Sequence, residues 1–218
     1  MRYKMKNILY ILFLISIIAF QSFSQTELKA NMGIDFISSP SLTDYLNQTY
    51  ANGQLNTFNS AIIFSVEADR FIKESYQVGF ELSYLLNSFN YNQDFNTYNL
   101  SYDIIMPAVL NYYVVQGKGY EFKFGGGLGV PFVFASEKTI GIDYSTKYKS
   151  IGLGLILRVD GNTILSDNIY VNVGGDLKYE LNGKPKNGNM YLVNRVTGEN
   201  VNFNFFSAGI HIGLTYRF

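Results

Sequence analysis

The 218-residue chain contains no cysteine, only four prolines and a single histidine. Without cysteine, an exported protein has no disulfides and must derive its stability from backbone hydrogen bonds and packing. One histidine and no cysteine also give no basis for a transition-metal centre, and we predict no cofactor. The 17 basic residues are balanced by 17 acidic ones, so there is no electrostatic reason to expect a nucleic-acid partner.

The N-terminal segment has the three parts of a secretory signal peptide. Arg2, Lys4 and Lys6 precede an apolar run over 8–20, and small serines follow at 22 and 24. We therefore predict a signal peptide over 1–24, cleaved before Gln25, and one domain over 25–218 with a net charge of about −3. A membrane anchor is the alternative, but the apolar run is shorter than the roughly 20 residues that a spanning helix needs.

Apolar residues recur at every second position through nearly the whole of 25–218. In the terminal segment 205–218, for example, Ile210, Ile212 and Leu214 alternate with Gly209, His211 and Gly213. Alternation of this kind predicts strands. Because membrane hydrocarbon cannot form hydrogen bonds with the open edge of a sheet, strands that span a membrane must close into a barrel. We predict an all-β fold, an eight-stranded antiparallel up-and-down transmembrane β-barrel. Its predicted strands are 28–38, 60–69, 76–87, 99–115, 120–135, 148–159, 168–181 and the terminal segment.

The predicted connections alternate between short turns and longer loops, which places both chain ends in the periplasm and the long loops 39–59 and 182–200 outside the cell. These loops are rich in Asn, Tyr, Ser and Thr, and we expect them to be solvated.

Pro107 and Pro131 lie inside predicted strands, where each predicts a bulge or bend. The fourth strand is predicted to direct its even-numbered residues to lipid. Aromatics on the predicted outward faces form two girdles: Tyr76, Tyr112, Tyr120, Phe122, Tyr216 and Phe218 at one end and Phe36, Tyr84, Tyr102, Phe132, Phe134 and Tyr179 at the other.

Three segments carry a resemblance to a known family. They are "YDIIMPAVLNYYV" (102–114), "YEFKFGGGLGVPFVF" (120–134) and the terminal "GLTYRF". Together with Gln25 after the expected cleavage point, they resemble the small outer-membrane β-barrels of the OmpX- and PorT-like type. The resemblance implies residence in the outer membrane, contact with its lipid, and insertion by the barrel assembly machinery, for which Tyr216 and Phe218 would be the assembly signal. It implies no specific role, because members of one fold differ widely in function.

Charged residues on the predicted inward faces define the candidate site. In an eight-stranded barrel side chains fill the lumen, so we expect these groups to form a paired polar plug. Inward glycines of strands five to seven either make room for the long basic side chains or allow the curvature of the barrel. The predicted plug consists of Asp35, Glu67, Glu81, Asp103, Lys123, Arg158, Asp176, Lys178, His211 and Arg217.

The sequence predicts a non-enzymatic outer-membrane protein whose external loops bind an unidentified surface partner or whose presence supports the envelope. Three alternatives remain open. A lipid-modifying barrel would use His211 as its base, but Gly213 occupies the position where barrel lipases that deacylate lipid A carry a serine. Extra hairpins in 39–59 or 182–200 would give a ten-stranded barrel that passes small solutes. A soluble ligand-binding barrel of lipocalin type would direct its apolar face inward.

Overall fold

Twelve strands and one short helix make up the computed structural model, which describes residues 26–51, 58–93, 96–139 and 144–218. The predicted signal peptide lies outside the described residues. The elements are β1 (Thr26–Ser38), α1 (Pro40–Leu46) with a π-helical turn (Asn47–Ala51), β2 (Phe58–Lys73), β3 (Tyr76–Gln93), β4 (Asn96–Gly117), β5 (Tyr120–Gly129), β6 (Phe132–Lys138), β7 (Thr146–Ile151), β8 (Leu153–Ser166), β9 (Ile169–Leu181), β10 (Lys186–Asn187), β11 (Met190–Tyr191) and β12 (Phe205–Arg217).

The strands form a closed antiparallel ring with eight positions. Each long strand pairs with its neighbours in chain order, and β1 pairs with β12 to close the ring. Strands β5 and β6 both pair with β4 and share one position, since Pro131 has no N–H to continue the ladder between them. Strands β7 and β8 share another position, interrupted at Gly152. The predicted eight-stranded barrel is confirmed. The predicted bulges are not: Pro107 pairs in register with Leu82, and the pairs with β4 on either side of Pro131 keep one register, so Pro131 only interrupts the strand.

The ten-stranded alternative is wrong. Segment 39–59 contains α1, and 182–200 contains only the two-residue strands β10 and β11. This small hairpin attaches to β7 through the pair Lys186–Lys149 and does not enter the ring. Tight turns at 74–75, 118–119 and 167–168 lie at the same end of the barrel as Thr26, the first described residue, and Phe218. We call this the turn end, and the opposite end, with α1 and the β10–β11 hairpin, the loop end.

Apolar side chains cover the outer surface of the ring. Typical examples are Met32, Phe64, Phe80 and Leu157, each about half exposed, and the same parity holds along every strand whose faces were predicted correctly. An exposed apolar area that surrounds the molecule is far larger than the patches of soluble proteins, which identifies it as a surface for lipid. The lipocalin-type alternative requires this face to line a cavity, and it does not.

Strand β4 has the opposite orientation to the prediction. Its even-numbered residues face the interior, so Tyr102 and Tyr112 are buried and do not belong to the girdles. Asp103 faces outward, on the same side of the sheet as Tyr84, and it is not a plug residue. The outward face of β4 is mixed, because Ser101, Asp103 and Asn111 share it with Ile105 and Val109, and the apolar even-numbered face was therefore assigned to lipid. The neighbouring glycines orient the strand, because the pairs Tyr112–Gly125 and Leu110–Gly127 set large inward side chains beside positions that have none.

The loop end is closed by an apolar cap, whereas the sequence had predicted solvated loops. Side chains of α1 point into the barrel, where Leu42, Tyr45 and Leu46 are buried. They join side chains from the upper strands and from 192–205. No helix among the described residues is long and apolar enough to cross a membrane. The other buried members of the cap are Ile37, Leu85, Tyr98, Leu100, Tyr102, Val133, Leu192, Val201, Phe203 and Phe205.

Candidate functional site

A network of buried charged side chains fills the barrel from the turn end to the underside of the apolar cap. Every position of the ring contributes at least one polar group. Nine of the ten predicted plug residues point inward, Asp103 being the exception, and Arg217 alone among these nine retains appreciable exposure, with 26% of its side chain accessible. The inward nine are Asp35, Glu67, Glu81, Lys123, Arg158, Asp176, Lys178, His211 and Arg217.

Lys29 lies at the centre of the network. Its Nζ donates to Asp160 Oδ2 at 2.8 Å on β8 and to Glu67 Oε2 at 3.1 Å on β2. The ammonium group also lies 5.2 Å from the centre of the Tyr112 ring, whose hydroxyl donates to Glu67 Oε1 at 2.7 Å. Three walls of the barrel are therefore connected through one fully buried lysine.

Arg158 connects β8 to β3 on the opposite side of the interior. Its guanidinium forms a bidentate pair with Glu81, with Nη2 donating to Oε1 at 3.2 Å. Its Nη1 also reaches Glu67 Oε2 at 3.3 Å, and Nη2 lies 3.6 Å from Asp176. A planar donor with several N–H groups suits this position, because it can satisfy carboxylates from three strands at once.

Toward the loop end, Lys178 continues the network. Its Nζ lies 2.7 Å from Asp35 and 3.0 Å from Asp176. Glu180, two residues further along β9, is also buried, but it accepts a hydrogen bond from the Asn182 amide at 3.1 Å instead of from a cation. The network therefore ends at Glu180, immediately below the apolar cap.

At the turn end, a second group of pairs surrounds Glu27. This carboxylate accepts hydrogen bonds from Lys123, from Gln77 at 2.9 Å and from Arg217 Nε at 2.8 Å. Arg217 also donates to Glu121 at 2.7 Å. These contacts link β1, β3, β5 and β12, so the polar network also secures the closing pair of strands.

His211 is part of the network and is held on both sides. Its Nε2 lies 2.8 Å from Asp160 Oδ1 and its Nδ1 lies 3.4 Å from Asp176 Oδ2. Room for these contacts comes from Gly174, where a Cβ atom would lie 2.5 Å from His211 Nε2. A general base needs a free nitrogen directed at a nucleophile. Here both ring nitrogens face carboxylates inside the barrel.

Sequence reasoning missed Glu27, Asp160 and Tyr112. Glu27 was excluded because the first predicted strand began one residue after it, and Asp160 because the sixth predicted strand ended one residue before it. Both lie on the inward faces of β1 and β8. Tyr112 was assigned to lipid with the rest of β4. The predicted use of the inward glycines was also wrong in part, since a Cβ at Gly125 would meet Tyr112 and one at Gly129 would meet Met106, not a basic side chain.

The proposed assembly residues lie outward at the turn end. Tyr216 is 42% exposed, Phe218 is 65% exposed, and their rings meet edge to face with centres 4.8 Å apart. The Phe218 backbone N–H donates to Thr26 O at 3.0 Å, which joins the end of the chain to the start of β1. This aromatic pair is therefore positioned at the lipid-facing rim beside the closing seam.

No family model matches the sequence, and no curated protein is similar to it. Among solved structures, the barrel is similar to a major outer membrane protein from Thermus thermophilus, with a TM-score of 0.52, 14% identity, and coverage of 88% of this chain and 99% of the other. It is also similar to Neisserial surface protein A, with a TM-score of 0.50, 15% identity, and coverage of 88% and 97%. The chain thus has the fold of small outer-membrane β-barrels, as the sequence resemblance implied. These similarities do not distinguish an OmpX-like from a PorT-like type.

Proposed function

We propose that this protein is an integral, non-enzymatic outer-membrane barrel with a closed lumen, and that it acts through the surface of its loop end or by supporting the envelope. The observation that carries the proposal is the buried ion-pair network, which spans the interior between opposite walls. The turn end would face the periplasm and the loop end the outside of the cell.

The closed lumen is supported by the central contacts. Lys29 and Arg158 reach across the interior, and each is paired with carboxylates from at least two other strands. Separating such pairs in a low-dielectric interior leaves uncompensated charge, which costs about 3–5 kcal/mol when one partner is removed. Above the network, the cap of α1 adds a second, apolar barrier, in which Tyr45 and Tyr98 both donate to Glu137. A solute would have to displace both layers.

The absence of enzymatic activity is supported by the environment of His211. The carboxylates of Asp160 and Asp176 each face one of the two ring nitrogens, and Asp160 also pairs with Lys29. The group is also 7% exposed and lies in the interior rather than on the lipid-facing surface. A lipid substrate would have to enter the ion-pair network to reach it. We expect the cell's lipid A profile to be the same with His211→Ala as with the wild type.

A surface partner would meet the loop end, where a cleft of about 560 Å³ lies between α1 and segment 194–206. Its walls are ordered by polar contacts. Asn194 Nδ2 donates to Gln48 at 2.8 Å, Ser41 Oγ accepts from the Asn202 N–H at 3.0 Å, and Ser39 Oγ donates to Asn204 O at 3.1 Å. A cleft with fixed walls suits recognition better than a solvated tract does.

The proposed partners during biogenesis are outer-membrane lipid and the barrel assembly machinery. The exposed aromatic pair Tyr216 and Phe218, at the rim beside the closing seam, supports this role.

Conductance in planar bilayers tests the closed lumen. The wild-type barrel is expected to give no steady openings, whereas Lys29→Ser combined with Arg158→Ser should produce discrete openings, because both cross-barrel connections are lost. Steady openings of the wild type would contradict the proposal.

Location is tested separately. The protein should fractionate with outer membranes and migrate differently on gels before and after boiling. Recovery as a soluble periplasmic protein would contradict residence in the membrane.

A further inference from the structure

Five exposed lysines gather on one outward side of the loop end. Lys147 and Lys149 project from β7, Lys138 ends β6, and Lys184 and Lys186 lie on or beside β10. Away from these positions, the outward surface of the described strands is mostly apolar, and the domain after the expected cleavage site carries a small acidic surplus. We call these five residues the lysine patch.

Three lysines of the patch, Lys149, Lys184 and Lys186, line a cleft where the sheet divides. At Gly152 the chain passes from β7, which pairs with β10, to β8, which pairs with β9. The gap between the two branches is a cleft of about 710 Å³, a volume that accommodates a small-molecule headgroup. None of the described residues that line it carries a carboxylate. They are Lys149, Ser150, Ile151, Asn182, Gly183, Lys184, Lys186 and Tyr191.

Two lysines of the patch face each other, and no carboxylate of the described residues forms an ion pair with either of them. Lys149 and Lys186 are direct cross-strand partners, an arrangement that destabilises a sheet when both residues carry the same charge. Lys149 also lies over the Phe134 ring, with its Nζ 5.5 Å from the ring centre. An anion bound between the two ammonium groups would offset this repulsion.

The cleft opens directly onto the apolar belt. Ile151 lines it and is 67% exposed, and Leu153 continues the same outward row toward the middle of the barrel at 53%. The ligand that fits both surfaces has anionic groups above and acyl chains below. An acidic protein would match the lysines but would leave the apolar row without a partner.

We infer that this cleft binds the phosphorylated headgroup of an outer-leaflet glycolipid, with Lys149 and Lys186 pairing with a phosphate and Ile151 contacting an acyl chain. This inference rests on the proposed location in the outer membrane, with the loop end facing outward. Lysine serves this purpose as a mobile point charge that can follow a phosphate at a membrane surface.

Native mass spectrometry of the folded barrel in zwitterionic detergent tests the inference, with bisphosphorylated lipid A and its dephosphorylated form as probes. Wild type should retain the bisphosphorylated lipid preferentially. Each lysine near an anionic surface contributes about a fivefold factor, so Lys149→Gln with Lys186→Gln should weaken retention about 30-fold. The matched control, Lys73→Gln with Lys118→Gln, removes two exposed lysines at the turn end and should change retention by no more than about twofold.

Equal retention of both lipids, an equal loss in the control, or dimerisation without lipid selectivity would each overturn the inference. Gel migration before boiling shows whether each variant is folded. If the double variant does not fold, Lys149→Gln alone should still give about a fivefold loss. A protein that never inserts into micelles or membranes contradicts the proposed function, whereas a folded barrel without phosphate selectivity contradicts only the lipid site.

Discussion

At the scale of single residues, the two buried glutamates Glu81 and Glu180 differ in whether a cation pairs with them. Glu81 is held by both terminal nitrogens of Arg158, whereas Glu180 has an amide donor and no cation within ion-pair distance among the described residues. A buried charge without a partner is costly, and a paired one becomes costly only when its partner is removed. The two positions should therefore respond to the same substitution in opposite directions.

We predict that Glu81→Gln lowers the free energy of unfolding in detergent by about 2–3 kcal/mol, because Arg158 loses its bidentate partner and keeps only the longer contacts with Glu67 and Asp176. Glu180→Gln should leave stability unchanged or raise it, since Gln keeps the shape and removes the uncompensated charge. Urea unfolding followed on unboiled gels measures both. Equal destabilisation by the two changes would show that the ion pairs of the network do not distinguish these positions.

Adjacent glycines of β5 provide a test of packing. A Cβ at Gly125 would lie 2.4 Å from Tyr112 Cδ1 and 2.4 Å from the Asn111 carbonyl oxygen, whereas one at Gly126 would lie 3.0 Å from the Ile156 carbonyl oxygen. Overpacking costs typically about 1–3 kcal/mol, so Gly125→Ala should reduce the refolded fraction clearly and Gly126→Ala only slightly. The opposite ranking would mean that Tyr112 does not face the interior.

At the scale of elements, the sequence predicted all eight strand positions because alternation and tight turns are local signals. It failed at β4, where the buried face with Ile104, Leu110 and Tyr112 is the more apolar one, and the outward face includes polar Ser101, Asp103 and Asn111. The orientation depends on which face packs beside the glycines of β5, and this contact between two strands cannot be read from the pattern of β4 alone. The cap was missed for the same reason, since Leu42 and Leu46 have their partners far along the chain.

The terminal strand β12 carries a prediction that separates its two faces. Tyr216→Ser with Phe218→Ser removes outward aromatic area worth about 3–5 kcal/mol, together with the proposed assembly signal. We expect loss of the folded barrel in outer membranes, with a smaller effect on refolding in detergent. Thr215→Ser, on the buried face of the same strand, should be nearly silent. Equal amounts of folded protein from both variants would contradict the role of the aromatic pair.

At the scale of the whole molecule, the absence of cysteine makes orientation directly measurable. Thr197→Cys places a thiol on an exposed residue of the loop end, and Glu74→Cys places one in a tight turn of the turn end. A membrane-impermeant maleimide should label the first in intact cells and the second only after the outer membrane is opened. Labelling in the reverse order would show that the barrel has the opposite orientation.

The closing seam between β1 and β12 has a kinetic consequence. Glu27 and Arg217 meet there although they lie 190 positions apart in the sequence. The seam is also one of the two pairings that β1 and β12 each make. A topology dominated by such distant contacts folds slowly, because the entropy of joining the two ends is lost before any of their contacts form. Until the last strand arrives, every partial sheet has two open edges that lipid cannot satisfy. Insertion is therefore cooperative over the entire chain, and an intermediate with fewer strands has no stable place in the bilayer.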